Sequence, residues 1–129
     1  MNFNRFVGLP WQSGGRSFAG VDCYGLVWLF YREELGVTLR SYAEAYSDAG
    51  DYARAGALVY AGIEAWRQIE SPEPGSVILM RRGGHPAHVG IYVPGRRMLH
   101  IEHAAVRSCI APITQAVRAR ILGYFIPRD

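Results

Sequence analysis

The chain has 129 residues, which is the length of a single domain. Half of the residues are hydrophobic, so the chain can bury a core, and this composition excludes a disordered or collagen-like protein. The formal net charge is only +3, and the arginines form no cluster interleaved with aromatic residues that would indicate a nucleic-acid partner. We therefore expect one globular domain at 1–129 that does not bind nucleic acid.

The only two cysteines, Cys23 and Cys109, are too few for a disulfide framework and form no Cys-x-x-Cys pair of the kind that binds zinc. We expect both thiols to be free, with Cys109 buried as a structural thiol beside apolar Ile110. Residues 1–10 lack the basic and apolar regions of a signal peptide. No stretch approaches the roughly 20 apolar residues of a membrane span. The sequence thus predicts a chain made in the cytoplasm, without a signal peptide or a membrane span.

The first half of the chain has the patterns of loops and helices. Residues 8–20 are rich in Gly and Ser and predict an ordered loop. Apolar residues then recur at helical spacing, which predicts a helix at 22–35 with Asp22 at or near its N-cap. Ala, Glu and Tyr at mixed spacing predict one or two further helices, around 42–48 and 51–66.

After a Ser-Pro-Glu-Pro-Gly break at 71–75, the pattern changes to that of β-strands. Strands are predicted at 77–80, 87–93, 97–102, 107–113 and 121–126. Helices that precede a run of strands favour an α+β fold over a parallel α/β sheet.

Cys23 is the first residue with potential for catalysis. If Asp22 caps the helix, the thiol lies in the first helical turn, where the positive end of the dipole favours thiolate and free N–H groups can bind an oxyanion. The alternative is that Cys23 is a small buried hydrophobic residue on an amphipathic helix, as free cysteines commonly are.

His88 and His100 lie on two successive predicted strands and can form a nucleophile–base–orienter set with Cys23. The two-residue period puts the His88 imidazole on the face opposite Val89, and Gly90 is expected to leave space beside it. Glu102 can stand beside His100, but a carboxylate at a strand end is more often simply solvated.

The remaining histidines have less specific interpretations. His85 is expected in an exposed loop and His103 at a strand end. A metal site built from the four histidines has no known ligand spacing, so we predict no metal.

The spacing of His88 and His100 constrains the turn between their strands. In an antiparallel hairpin, opposed residues have a constant sum of numbers and share a face, so two even-numbered residues share a face only if that sum is even. An even sum requires an odd number of loop residues. We therefore expect a loop of three or five residues around 94–96, or a bulge, rather than the common two-residue turn.

Four stretches resemble the NlpC family of cell-wall cysteine peptidases, and they cover nearly the whole chain. The string GVDCYGLV at 20–27 resembles the nucleophile motif, PGSVILM at 74–80 the first core strand, and HVGIYV at 88–93 the base motif. His100 falls where the third catalytic residue falls, 12 positions after the base, and Trp11 matches an aromatic position of the substrate groove.

The resemblance implies a papain-like fold with N-terminal helices packed on an antiparallel sheet. It implies a Cys23/His88/His100 site without a cofactor, and Trp11, Asp22 and Tyr24 at the substrate groove. The implied reaction is hydrolysis of an amide in the peptide stem of peptidoglycan, commonly beside D-glutamate. Many family members have Ser where this chain has Tyr24, a bulky ring that can narrow the groove.

The tract at 31–42 and the string LHIEH at 99–103 resemble phage-tail members of the family. This resemblance, together with the absence of a recognisable signal peptide, predicts a tail-tip component whose partners are other tail proteins and whose site of action is the cell wall. Two alternatives stay open. One is a structural tail-tip protein without activity, and the other is a thiol acyltransferase on the same fold.

Overall fold

A computed structural model of the chain describes residues 1–42, 65–102 and 106–128. The part before the main sheet contains a 3-10 helix (Phe3–Phe6), β1 (Arg16–Ser17), β2 (Gly20–Val21) and helix α1 (Cys23–Leu35). The part from Trp66 onward contains β3 (Trp66–Ile69), β4 (Val77–Arg82), β5 (His85–Val93), β6 (Arg97–His100), β7 (Cys109–Pro112), α2 (Gln115–Arg118) and β8 (Ile121–Pro127).

The six longer strands form one antiparallel sheet in the order β3-β8-β4-β5-β6-β7. Helix α1 packs on one face of this sheet, and the main core cluster lies between them. A smaller cluster of Ile78, Met80 and Met98 covers part of the other face. The α+β prediction, with a helix packed on an antiparallel sheet, is confirmed.

Helix α1 has the boundaries expected from its sequence. The Asp22 side chain caps it by accepting a hydrogen bond from the Gly25 amide at 2.7 Å. Gly36 ends it in the left-handed conformation with φ of 67°, where glycine carries no steric penalty. The predicted helix at 22–35 is confirmed to within one residue.

The β5–β6 hairpin has the odd loop that the histidine spacing requires. Val93 pairs with Arg97, so three residues, 94–96, form the connection. The paired residues have an even sum, and His88 and His100 therefore share a face of the sheet. The prediction of a three- or five-residue loop is confirmed.

Several local predictions were wrong. Trp66 begins β3 by pairing with Pro127, because its ring is buried against the core, and does not end a helix. Strand β6 ends at His100 instead of residue 102, and His85 is the first residue of β5 instead of part of a loop. The helices expected at 42–48 and 51–66 otherwise fall on 43–64, and those residues and His103 lie outside the described residues.

The two cysteines are both free, as predicted, but Cys109 is exposed and not buried. The reason is that β7 is the edge strand of the sheet, with a neighbouring strand on only one side among the described residues. Within the described residues, no helix has the length and apolar character needed to cross a membrane.

Gly25 packs against the loop that precedes α1. A Cβ atom there would collide with the Gly15 carbonyl oxygen and lie 2.8 Å from Arg16 Nη1. Since a backbone atom has little room to move, we expect Gly25→Ala to lower the free energy of unfolding by about 1–3 kcal/mol in urea denaturation. Gly84→Ala is the matched control, because a Cβ at Gly84 meets nothing within 4 Å. Equal stability of the two variants would contradict this packing argument.

Candidate functional site

The start of α1 is fixed by the Asp22 carboxylate, which is 2% exposed. Oδ1 accepts from the Gly25 amide at 2.7 Å and from Arg16 Nη1 at 3.0 Å, and Oδ2 accepts from the Gly14 amide at 2.7 Å. The carboxylate thus joins the helix to the glycine-rich loop before it. Its oxygens are engaged with the protein's own donors, and a role for Asp22 at the substrate groove stays a prediction.

Cys23 is the first residue of α1 and is buried. The backbone amides of Val89 and Tyr24 form hydrogen bonds to its thiol. Burial and the Asp22 charge nevertheless raise the pKa of the Cys23 thiol to about 12, because desolvation outweighs these amides and Arg16. The Tyr24 amide at the helix start favours thiolate, as expected, but burial outweighs it, so the neutral thiol is the stable form.

The structure brings His88 and His100 into contact. His88 Nε2 lies 3.0 Å from His100 Nδ1, and the two rings meet edge to face with 5.2 Å between centroids. His88 is fully buried, and its other nitrogen, Nδ1, has no hydrogen-bond partner among the described residues. The backbone amide of Val89 bonds the Cys23 thiol, and Val89 directly follows His88 in the chain. This bond connects the strand that carries His88 to the start of α1.

Burial lowers the pKa of both histidines. Desolvation is the largest cause for each. Repulsion between two protonated rings and the charges of Arg82 and Arg120 also lower the pKa of His88, and the charge of Arg120 lowers that of His100. Glu102 acts in the opposite direction on His100. Both rings are therefore neutral at physiological pH. A neutral imidazole has one N–H and one acceptor nitrogen, so one facing nitrogen donates and the other accepts.

Glu102 belongs to the same cluster. One carboxylate oxygen of Glu102 and one nitrogen of each of His88 and His100 lie within 4.8 Å of one another. The sequence interpretation left Glu102 as a solvated residue at a strand end. The signal that pointed to it was the two-residue period, which puts Glu102 on the same face as His100.

Gly90 does not leave space beside His88, contrary to our expectation. The side chain of Met98 fills that position, since a Cβ on Gly90 would lie 2.7 Å from Met98 Cγ and Sδ. Glycine is needed at position 90 so that Met98 on the neighbouring strand can pack there.

Tyr24 and Trp11 both lie close to the start of α1. Tyr24 is buried, and its hydroxyl donates to the Arg40 carbonyl at 2.6 Å, which ties the segment after α1 to the first helical turn. Trp11 is half-buried against the main core and forms a bridge with Val21, two residues before Cys23. Their contact with a substrate stays a prediction.

Comparison with known proteins agrees with this arrangement. The sequence model of the NlpC/P60 family matches residues 8–123 of the chain. The chain belongs to the NlpC/P60 family. The gamma-D-glutamyl-L-lysine dipeptidyl-peptidase of Bacillus subtilis (strain 168) is 30% identical over 118 residues, which cover 87% of this chain and 34% of that protein. The chain therefore spans about a third of that relative's length.

Solved structures of NlpC/P60 domains share the fold. An NlpC/P60 family protein from Bacillus cereus ATCC 10987 is 25% identical with a TM-score of 0.65, covering 95% of this chain and 36% of that one. The NlpC/P60 domain of the peptidoglycan hydrolase SagA is 14% identical with a TM-score of 0.62, covering 98% and 92%. The papain-like fold expected from the sequence is thus confirmed.

The buried neutral histidines make stability depend on pH. Their folded-state pKa values lie below the unfolded value, so the unfolded chain binds more protons once the pH falls below 6.5. The free energy of unfolding is expected to fall from pH 6.5 to 5, by up to about 1.4 kcal/mol per pH unit for each histidine. Urea denaturation over this range measures the slope.

The variant His88→Asn separates this effect from that of carboxylates, because asparagine does not titrate. Its slope should be smaller than that of the wild type. A wild-type stability that stays constant from pH 6.5 to 5 would show that the histidines are not held neutral.

Proposed function

We propose that the chain is a cysteine peptidase that hydrolyses amide bonds in the peptide stem of bacterial peptidoglycan, with Cys23 as nucleophile, His88 as base and His100 as the residue that orients the base. The observation that carries the proposal is the His88 ring. Its Nε2 is held at 3.0 Å by His100, and its Nδ1 is buried and has no partner among the described residues. A general base needs this combination of one fixed nitrogen and one free lone pair.

The reaction follows from the tautomer. When His88 donates from Nε2–H to His100, its Nδ1 accepts the thiol proton as the Cys23 sulfur attacks the substrate carbonyl carbon. The C=O electron pair moves to the oxygen, which gives a tetrahedral intermediate. When this pair returns, the C–N bond breaks and Nδ1–H protonates the leaving amine. Water then attacks the thioester carbonyl carbon while Nδ1 takes its proton. The C–S bond breaks, the carboxylic acid is released, and Nδ1–H returns the proton to the Cys23 sulfur.

The helix start supplies donors to the oxyanion. The first N–H groups of a helix have no acceptor within the helix. Asp22 takes the Gly25 amide and the Tyr24 amide bonds the thiol, which makes the Cys23 amide the donor best placed to stabilise a negative oxygen. Because thiol and imidazole are both stable as neutral groups, the thiolate forms during attack and not before.

Peptidoglycan as the substrate is supported by relatives. The Bacillus subtilis relative is a gamma-D-glutamyl-L-lysine dipeptidyl-peptidase, and SagA is a peptidoglycan hydrolase. The charges near the base fit an anionic peptide, since Arg82 and Arg120 both act on His88 and stem peptides carry free carboxylates. We therefore propose cleavage beside a D-glutamyl residue.

The proposed setting is the tip of a phage tail. It is supported by the similarity of residues 31–42 and 99–103 to phage-tail members of the family. In this setting the particle would carry the peptidase to the cell wall.

The first test is made on the nucleophile. Cys23→Ser should reduce hydrolysis of purified muropeptides by at least about 10³-fold, as loss of a nucleophile does in other hydrolases. The melting temperature should hardly change, because Ser is similar in size. Product release is measured by chromatography and mass spectrometry of the peptide fragments.

Cys109→Ser is the matched control, because it makes the same chemical change at an exposed thiol on the edge strand β7. It should retain wild-type activity. If Cys23→Ser were as active as the wild type, or if both serine variants lost activity, the assignment of the nucleophile would be contradicted.

The location can be tested separately from the chemistry. If the chain is a tail component, mass spectrometry of density-purified phage particles should detect it at a fixed number of copies per particle. Detection only in the soluble fraction of the lysate would contradict the tail-tip role and leave the peptidase proposal standing.

A further inference from the structure

The cluster of His88, His100 and Glu102 contains the donor set of a transition-metal site. Its three potential ligand atoms, two ring nitrogens and one carboxylate oxygen, lie within 4.8 Å of one another. Two histidines and one glutamate with an open fourth position form a known zinc site. We propose that these three side chains form an inhibitory site for a divalent transition-metal ion of the Zn²⁺ class.

The distances are close to those that a metal ion needs. Two nitrogens bound to one tetrahedral Zn²⁺ at about 2.0–2.1 Å from the metal are about 3.3 Å apart. His88 Nε2 and His100 Nδ1 are 3.0 Å apart, so the rings have to separate by only a few tenths of an ångström and tilt. Glu102 lies two residues beyond His100, the last residue of β6, where the β6–β7 pairing has ended.

The protonation states also suit a metal ion. Burial keeps both imidazoles neutral, and neutral imidazole is the form that binds metal. Each ring then directs one lone pair to the ion and carries its proton on the nitrogen that faces away. For His88 that nitrogen is Nδ1.

Metal binding and base catalysis therefore exclude each other at His88. Catalysis needs the proton on Nε2 and the lone pair on Nδ1, whereas a metal at Nε2 moves the proton to Nδ1. With that proton in place, Nδ1 cannot accept one from the Cys23 thiol. The proposed metal binding depends only on the geometry of His88, His100 and Glu102, whereas the proposed inhibition rests on the proposed function.

Glu102 decides the balance of charge in the site. The positive charges of Arg82 and Arg120, which act on these histidines, oppose a cation. The Glu102 carboxylate is the anionic ligand that offsets them. It is half-buried, and His100 is 8% exposed, so the ion can approach from the side of these two residues while His88 is fully buried.

The site is tested by Zn²⁺ titration calorimetry on the thiol-free chain, Cys23→Ala with Cys109→Ser, because cysteine thiols bind zinc themselves. We expect one Zn²⁺ per chain. Adding Glu102→Gln should weaken the affinity by at least about 10-fold, the lower limit found even for removal of an outer-shell partner. Glu70→Gln is the matched control at an exposed glutamate and should leave the affinity unchanged.

The consequence for catalysis is measured on the wild-type chain with muropeptide substrate. Zn²⁺ should reduce the initial rate by at least about 10-fold, a chelator should restore it, and Mg²⁺, which prefers oxygen ligands, should have no effect. Circular dichroism confirms that each variant is folded.

The outcomes separate the two proposals. If the thiol-free chain binds no Zn²⁺, or if Glu102→Gln leaves its affinity unchanged, the metal site is wrong. If Zn²⁺ binds at Glu102 but leaves hydrolysis intact, the inhibitory role is wrong. A chain that binds Zn²⁺ and hydrolyses no muropeptide even without metal refutes the proposed function, and the metal site is retained without its inhibitory role.

Discussion

The carboxylate of Asp22 joins the parts of the chain that meet at the start of α1. It accepts from the Gly25 amide inside the helix, from the Gly14 amide in the preceding loop and from the Arg16 guanidinium. A buried carboxylate is stable only when such donors replace water. The same bonds therefore determine where the helix begins and where the Cys23 thiol lies.

Burial has opposite effects on the two groups that are proposed to exchange a proton. It raises the pKa of the Cys23 thiol to about 12 and lowers the pKa of His88. A separated thiolate and imidazolium are therefore unfavourable without a substrate. This arrangement protects the thiol from reaction with solvent oxidants, since the thiolate is the reactive form. The proposed mechanism therefore requires that the proton leaves the Cys23 thiol during attack on the substrate.

The sequence predicted the features that depend on local periodicity or on parity. The bounds of helix α1 were predictable from neighbouring residues alone, because Asp22 caps its start and Gly36 ends it. The three-residue loop followed by parity from the expectation that His88 and His100 share a face, and the observed pairing agrees with it. The sheet order, the exposed position of Cys109 and the strand at Trp66 were not predictable, since each depends on which distant segment packs beside it.

The site shows the same division. The pairing of His88 with His100 was predictable from the strands that carry them, but the neutral state of both rings depends on burial by the whole fold. Glu102 was considered as a neighbour of His100 but was interpreted as solvated, because a carboxylate at a strand end usually is. The two-residue period puts Glu102 on the same face as His100, but its position near both rings also depends on the path of the chain after β6.

The three-residue loop at 94–96 limits how the β5–β6 connection can change during evolution. Because facing alternates along a strand, insertion or deletion of one residue in this loop would move the His100 side chain to the opposite face, unless a bulge restored the register. Changes of two residues preserve the facing. The turn is on the surface and touches no reacting atom, yet only changes of two residues in its length keep His100 on the same face as His88. Variation in loop length among functional descendants of this chain should therefore skip the even values.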